Sequence, residues 1–364
     1  MELFLGRPDG RAAHLDALDG LRGLAVLVVL ASHLSNRGQH LLPGLDLGGT
    51  GKAGVYLFFV LSAFLLTRLL MLRPAGQWRS ARTWLDYALR RVLRIWPLYL
   101  VVLGLSWVLT GAGVGLWHYQ MDTASLLRHL TLREGQSVLW SIPVEFHYYL
   151  WLPLVALVLA LFHRRRPGPG WELAFAVALF AAAAWRWPAD EASPNDVRLG
   201  PYLVVFFAGA MAARVDLALR APGVAPRPAA WAAVALATTL ALVLSIPSVW
   251  AFASGTGKDP ALNHDWFLFF GLAWALLLLA VVHGPAWLRA PFGWPPMRLV
   301  GVVSFSLYLW HMPVLDLLRA AGAHDWPLGG WAMALASLGV ALASYLLFER
   351  PWRDIRLSRP PARA

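Results

Sequence analysis

The first apolar segment carries two basic residues whose types and spacing could combine anion binding with proton transfer. Arg22 and His33 are eleven residues apart, which on an α-helix corresponds to about 16 Å along the axis and only ~20° around it. A guanidinium binds phosphate, and an imidazole can act as a general base near neutral pH. Two simpler interpretations stay open: a snorkelling arginine at the membrane surface, and a histidine that only hydrogen-bonds a neighbouring helix.

Two further arginines precede the third apolar segment. Arg91 and Arg94 are three residues apart and share a helix face, whereas Arg90 points elsewhere. The guanidinium forms paired hydrogen bonds with phosphate oxygens, so both are candidate phosphate ligands. The same cluster also fits a purely topological role, because basic residues concentrate at the cytoplasmic ends of membrane spans.

Other apolar segments contain ionisable groups, which are costly within a membrane and are therefore functional candidates. Glu145 is the only acid of the fourth segment, and in the ninth segment Tyr308 and His311 can share a helix face. Interhelical hydrogen bonding is the alternative role for His311. This distribution suggests an anionic ligand held at the inner end and proton chemistry deeper in the membrane. Further residues that could line such a site are Asp19, Ser141, His147, Tyr149, Tyr308 and His311.

The composition indicates a membrane protein. Of the 364 residues, 59% are hydrophobic and 14% are charged, whereas soluble proteins contain roughly 25% charged residues. A soluble enzyme and a disordered chain are therefore excluded. The absence of cysteine excludes disulfides and thiolate chemistry, and we predict no metal site. The net charge of +11 is explained by membrane topology, so no nucleic-acid partner is expected.

The predicted fold class is all-α, a polytopic membrane protein with about ten transmembrane helices. Of the 31 basic residues, 23 lie in segments that alternate to one side, which places both termini in the cytoplasm. The expected organisation is a cytoplasmic segment at 1–19, a ten-helix domain at 20–348 and a basic cytoplasmic tail at 349–364. Each span needs roughly 20 apolar residues, and the predicted spans are 20–36, 53–71, 95–111, 138–161, 171–187, 200–213, 229–248, 266–283, 299–318 and 328–348.

Six short segments in this order resemble the membrane acyltransferase-3 family, bacterial ten-helix O-acyltransferases of the cell membrane. The resemblance covers nearly the whole chain, and the matching pieces are 18–25 with His33, 54–67, 90–97, 139–149, 304–313 and 348–353. The sequence departs from the family pattern at Ala63, where glycine is usual. Phe146 and His147 stand where the family often has a glutamate and a glutamine, and His147 is expected to bear on acceptor choice.

The resemblance implies an O-acyltransferase that moves an acyl group, with acetyl expected, from cytoplasmic acyl-coenzyme A to a hydroxyl, with polysaccharide modification expected. Arg22, Arg91 and Arg94 would hold the donor phosphates. His33 would take the hydroxyl proton, and Glu145 would orient His33 or stabilise its imidazolium. No permanently bound cofactor is expected. The partners would be the lipid bilayer, acyl-coenzyme A as co-substrate and a hydroxyl acceptor, with a sugar as the expected class.

Two other functions stay open. A transporter of an acyl donor or a lipid-linked sugar would also place charges in the membrane, but repeated halves and paired broken helices are typical of transporters, and neither is evident in the sequence. A non-catalytic scaffold or sensor would not require Arg22, His33 and Glu145 together with the paired arginines.

Overall fold

The computed structural model describes residues 13–165, 168–353 and 355, and within them every regular element is a helix. The α-helices are α1 (Ala13–Ser35), α2 (Gly51–Met71), α3 (Ala81–Gly111), α4 (Thr123–Leu130), α5 (Ser141–Arg165), α6 (Pro169–Arg186), α7 (Leu203–Leu219), α8 (Pro228–Leu244), α9 (Pro247–Ser254), α10 (Phe267–His283), α11 (Ala286–Gly293), α12 (Pro295–Val302), α13 (Ser304–Ala320) and α14 (Gly329–Ser344). Short 3₁₀ turns occur at Ala75–Arg79, Ser137–Trp140, Ala189–Glu191, Gly200–Tyr202, Ala323–Asp325 and Arg350–Trp352, and a π-helical turn at Tyr345–Glu349.

The helices form a multi-pass membrane protein. Among the described residues, six helical stretches are long and apolar enough to cross a bilayer, and three bent pairs raise the number to nine if each pair counts as one span. The pairs are α8 with α9, α10 with α11, and α12 with α13, bent by 85°, 104° and 74°. Helix α6 coincides with the remaining predicted span. The all-helical membrane architecture is confirmed, and the count of ten stays a prediction.

Alternate loops meet at one end of the bundle. One cavity is lined by residues from the loops after the first, third, fifth and seventh predicted spans: Asn36, Ser137, Asn195 and Asn263. The loop after the ninth joins the first, because Gln39 Nε2 donates to the carbonyl oxygen of His324 at 3.2 Å. Spans that alternate in direction produce this arrangement. We call this end outer and the opposite end inner, following the predicted topology.

Helix α2 lies at the centre of the bundle and packs against α1, α5, α7 and α10. Glycines allow the closest approaches: a Cβ on Gly54 would lie 2.5 Å from the Ala25 carbonyl oxygen, and one on Gly209 would lie 2.3 Å from that of Val60. Small residues at such contacts let membrane helices pack backbone to backbone. The packing of α1 on α2 fixes where the first helix presents its polar side chains.

Two predicted boundaries are corrected. Helix α1 begins at Ala13 rather than at residue 20, so Asp19 belongs to the helix. Helix α3 begins at Ala81, so it extends beyond the predicted span 95–111 and includes the paired arginines, which line a polar cavity. Residues 1–12 of the predicted N-terminal segment, and residues 354 and 356–364 of the predicted tail, lie outside the described residues.

Candidate active site

Three adjoining cavities lead through the bundle. The inner vestibule is lined mainly by charged side chains, namely Asp19, Arg22, Arg90, Arg91, Arg94, Glu349 and Arg353. The central cavity shares three arginines with it and adds polar groups from α2 and α5; these residues are Arg22, Arg91, Arg94, Ser62, Glu145 and Tyr149. The outer cavity shares Val55 and Tyr308 with the central cavity, and it is also lined by Ser32, His33, Lys52, Ser137 and His264. The predicted site residues on α1 therefore lie near opposite ends of one path.

Arg94 is held by a carboxylate from the end of the last predicted span. Helix α14 continues into the π-helical turn Tyr345–Glu349, a feature frequent at functional sites. The turn places Glu349 between Arg94 Nη1, which donates to it at 2.5 Å, and Ser306 Oγ, which also donates at 2.5 Å. The Glu349 side chain is buried, so Arg94 neutralises a charge that could not otherwise stay there.

Arg91 differs from the other two arginines of the central cavity. Arg22 donates to Asp19 at 3.3 Å and Arg94 pairs with Glu349, whereas Arg91 has no ion pair with any carboxylate in the part of the chain that the structure describes. Its guanidinium carbon lies 5.6 Å from the centre of the Tyr149 ring, and its Nε is buried without a hydrogen-bond partner. A half-buried cation in a cavity wall, with no carboxylate paired to it among the described residues, is suited to bind an anionic ligand.

Glu145 belongs to the central cavity. Its Oε1 accepts hydrogen bonds from Ser62 Oγ at 2.7 Å and from Tyr149 OH at 2.6 Å. The expected contact between Glu145 and His33 is therefore replaced by two other partners, and the two residues line different cavities. The reason is the position of the histidine at the outer end of α1, beyond the shared wall at Tyr308.

His33 is hydrogen-bonded to His311 on α13. His311 Nδ1 lies 3.0 Å from the carbonyl oxygen of Leu307, which can only accept, so this nitrogen carries a hydrogen. In the neutral ring His311 Nε2 is then an acceptor, and it lies 2.8 Å from His33 Nδ1. His33 Nδ1 therefore carries the hydrogen of its own ring, and its Nε2 keeps a free lone pair. Because His33 lines the outer cavity, that lone pair is available to a bound hydroxyl.

Tyr308 separates the central from the outer cavity. Its hydroxyl donates to the carbonyl oxygen of Val138 at 2.6 Å and accepts from Ser141 Oγ at 2.9 Å. Both predicted lining residues thus form one buried contact between α13 and the start of α5. A molecule that reaches from the arginines to His33 must pass this contact.

Of the remaining residues predicted to line the site, three contact residues of the path and one lines none of its cavities. Asp19 and Tyr149 each contact an arginine of the path. His311 contacts His33 directly. His147 is half-buried but lines none of the three cavities, because it follows Glu145 by two residues and turns to another side of α5. The suggested link between His147 and acceptor choice has no structural basis.

Several residues of the site, among them Ser62, Glu349 and Lys52, were not singled out from the sequence. Ser62 lies in the 54–67 piece and Glu349 in the 348–353 piece, but a serine and an acid at a helix end gave no local signal of their own. The rule that any intramembrane acid is a functional candidate would have found Glu349. No group of three or more metal-binding side chains that could hold an ion occurs among the described residues.

Fold and site together define a class: a polytopic helical membrane protein in which a buried path leads from arginines at one end to a pair of histidines at the other. Comparison with known families assigns the chain more narrowly. The acyltransferase domain of the acyltransferase-3 family matches residues 15–349, and the chain belongs to this family. No solved structure matches it significantly.

Several curated bacterial proteins are similar to the chain. The peptidoglycan O-acetyltransferase OatA of Listeria monocytogenes is 26% identical over 84% of this chain and 50% of its own length. A putative membrane-bound transacylase, BcsY of Komagataeibacter xylinus, is 27% identical over 95% of this chain and 84% of its own length. The O-acetyltransferase OatA of Staphylococcus aureus is 25% identical over 84% and 51%, respectively. The chain thus spans about half the length of the OatA relatives.

Proposed function

We propose that the protein is an integral-membrane O-acyltransferase. It transfers an acyl group, with acetyl expected, from acyl-coenzyme A at the inner end to a carbohydrate hydroxyl at the outer end. The observation that carries this proposal is the buried path itself. At its inner part Arg91 has no carboxylate partner among the described residues, and at its outer part His33 has a fixed, unprotonated Nε2. The names of the similar proteins, O-acetyltransferases and a transacylase, support the same reaction.

The inner vestibule suits the donor. Coenzyme A carries several phosphate groups, and the arginines of the vestibule face the inner end, where a soluble donor enters. Arg91, without a carboxylate partner in the described part of the chain, is available to a donor phosphate, while Arg94 is held in place by Glu349. The pantetheine arm then extends through the central cavity, and its thioester reaches the Tyr308 contact. Glu145 shapes this cavity through Ser62 and Tyr149.

The outer cavity suits the chemistry. His33 Nε2 takes the proton of the acceptor hydroxyl, whose oxygen attacks the thioester carbonyl. The imidazolium that forms keeps its Nδ1–H bond to His311. The carbon–sulfur bond breaks, and the thiolate leaves and takes up a proton. Lys52 lines the same cavity and is held by His264 Nδ1 at 2.6 Å, so it supplies positive charge for the developing oxyanion.

The test is acyl transfer by the purified protein reconstituted in liposomes. Acetyl-coenzyme A carrying a labelled acetyl group is added on one side, and an oligomer of N-acetylglucosamine on the other. We expect alkali-labile acetyl ester on the sugar and an equal amount of released coenzyme A. Two results would refute the proposal: entry of intact labelled acetyl-coenzyme A without ester, as a transporter predicts, or ester formation only when acetyl phosphate replaces acetyl-coenzyme A.

A further inference from the structure

The outer cavity contains a serine that is hydrogen-bonded to a second histidine. Ser137 lines the cavity together with His33. Its Oγ lies 2.8 Å from His118 Nε2, and His118 Nδ1 lies 2.5 Å from Asp316 Oδ2. Serine, imidazole and carboxylate thus follow one another in the order and at the distances of a nucleophilic triad. The three residues come from separate parts of the chain: the loop between α3 and α4, the start of the 3₁₀ turn before α5, and α13.

The protonation state of His118 follows from these contacts. The Asp316 carboxylate only accepts, so His118 Nδ1 carries the hydrogen and Nε2 accepts from Ser137 Oγ in the neutral ring. His118 lies outside the helices that cross the membrane, and its burial lowers the pKa of the imidazole below its usual range despite the neighbouring carboxylate. The ring is therefore neutral at neutral pH and able to take a proton.

Hydrogen bonds from Arg37 hold the Asp316 carboxylate in place. Arg37 donates to Asp316 Oδ1 from Nη2 at 2.6 Å and from Nε at 3.0 Å. A third bond runs from Arg37 Nη1 to the carbonyl oxygen of His33 at 3.1 Å. The same arginine therefore connects the carboxylate behind His118 with the backbone of the proposed base. His33 lines the outer cavity itself, and His118 reaches it through its hydrogen bond to Ser137.

The backbone at Ser137 is strained. Its φ is +51°, in the left-handed region that side chains other than glycine rarely adopt. Such strain persists only where the surroundings enforce it, and it concentrates at functional sites. Here the enforcement is a tight turn: a Cβ on Gly135 would lie 2.3 Å from Trp140 Cα, and the Gln136 N–H donates to His129 Nε2 at 3.0 Å. In α/β-hydrolases the nucleophilic serine also lies at a sharp, strained turn before a helix, although there the turn follows a strand.

A second serine with a histidine and an acid lies nearby but is arranged differently. Ser125 Oγ donates to Glu134 Oε1 at 2.8 Å. It also lies 3.3 Å from His129 Nδ1, but that nitrogen carries a hydrogen and cannot accept the serine proton. Both nitrogens of His129 are occupied by the backbone: Nδ1 donates to the Ser125 carbonyl oxygen at 2.8 Å, and Nε2 accepts from the Gln136 N–H. This cluster braces α4 and provides a control of matched composition.

We propose that Ser137 is a nucleophile that carries the acyl group as a covalent ester between the donor and the acceptor. The proposal rests on the proposed function and divides its reaction into two steps. In the first, Ser137 Oγ attacks the thioester carbonyl while His118 Nε2 takes the hydroxyl proton. The oxygen–carbon bond forms and the carbon–sulfur bond breaks. His118 Nε2 passes its proton to the departing sulfur, so coenzyme A leaves as the thiol and His118 is again neutral beside Asp316.

In the second step, His33 Nε2 takes the proton of the acceptor hydroxyl, whose oxygen attacks the ester carbonyl on Ser137. The bond between Ser137 Oγ and the acyl carbon breaks, and the serine oxygen takes up a proton from solvent by way of His118. His33 releases the acceptor's proton to solvent. Atoms and charges balance without any further reactant. The two histidines thereby accept protons from different hydroxyls: His118 from Ser137, and His33 from the acceptor.

The first test does not depend on the donor. An alkyl fluorophosphonate reacts with activated serines, forming an oxygen–phosphorus bond and releasing fluoride. Purified protein in detergent is treated with this probe, and the site of the adduct is mapped by peptide mass spectrometry. We expect the adduct on Ser137 in the wild type and in Ser125→Ala, and at least a tenfold slower reaction in His118→Gln. Folded wild-type protein that is unlabelled, or labelled at another residue, refutes the proposal.

The second test uses acetyl-coenzyme A with a labelled acetyl group and no acceptor. We expect an alkali-labile label on Ser137 in the wild type, loss of the label in Ser137→Ala, and accumulation in His33→Ala that is not discharged by added sugar. Wild-type transfer that persists in Ser137→Ala refutes the relay but leaves the proposed function intact. Absence of both transfer and label, with the fluorophosphonate adduct present, instead refutes the choice of donor. The structural alternative, in which Ser137 only anchors its loop, predicts lower stability of Ser137→Ala and full transfer per folded molecule.

Discussion

The inner part of the buried path contains permanently charged groups, whereas the proposed base of the outer part is a neutral group that can be protonated. The inner part contains three arginines, which stay charged at any pH a cell experiences. In the outer part the proposed base, His33, is hydrogen-bonded through a second imidazole to a backbone carbonyl. Fixed charge suits binding, because it attracts an anion without having to change. A neutral imidazole suits catalysis, because it can gain and lose a proton. The contrast predicts that inner substitutions change affinity and outer substitutions change turnover.

The largest effect is expected from His33→Ala. Loss of a general base typically lowers turnover by about 10²–10⁴-fold. Donor affinity should be unchanged, since the arginines are untouched. The measurement is acetyl transfer per folded molecule, together with binding of acetyl-coenzyme A by calorimetry.

The matched control for this variant is His147→Ala, which removes a histidine that lines none of the three cavities. It should retain near-wild-type transfer. If His33→Ala also transfers at the wild-type rate per folded molecule, histidine serves only interhelical hydrogen bonding and the division between the two parts fails.

Arg91→Ala is expected to weaken donor binding. A charge-assisted hydrogen bond contributes about 1.5–3 kcal/mol, which corresponds to roughly 10- to 150-fold in affinity. Arg91→Lys should restore only part of it, because an ammonium cannot form the paired contact. Calorimetry with acetyl-coenzyme A measures the change. Arg164, exposed and bonded to the Arg73 carbonyl oxygen, is the control for a topological charge; equal losses in Arg91→Ala and Arg164→Ala would return Arg91 to that role.

Arg94→Ala should lower stability more than it lowers affinity. Removing one partner of a buried ion pair costs about 3–5 kcal/mol, and because Arg94 is 39% exposed we expect a smaller loss, about 1–2 kcal/mol. Thermal unfolding in detergent gives the loss. The double variant Arg94→Ala with Glu349→Gln should recover most of it, since the uncompensated charge is then absent. A double variant as unstable as the single one would show that Arg94 acts through packing, not through its pairing with Glu349.

The sequence predicted single helices better than contacts between them. Helical periodicity placed Arg22 and His33 on one face and the paired arginines in one wall, because these relations depend on a single helix. The partner of His33 depends on how α1 packs on its neighbours, and close contacts such as Gly54 on Ala25 set that register. The same limit applies to Ser137, His118 and Asp316. Their contacts join positions up to 198 residues apart, and no local spacing indicates them.

Glu145→Gln is expected to reduce acetyl transfer least. This variant tests whether Glu145, at the boundary between the two parts, supports the chemistry of His33. If Glu145 supported an imidazolium on His33, the neutral amide would lose most of the activity. In the structure, Oε1 accepts from Ser62 and Tyr149, and a glutamine carbonyl can accept both bonds. We therefore expect transfer to fall by less than about tenfold, the equivalent of ~1.4 kcal/mol. Glu145→Ala should reduce transfer further, because it leaves both hydroxyls unpaired.

The assay is acetyl transfer per folded molecule for both variants. A glutamine variant as inactive as His33→Ala would mean that the carboxylate charge serves the chemistry after all, and that the outer part of the path extends inward past Tyr308.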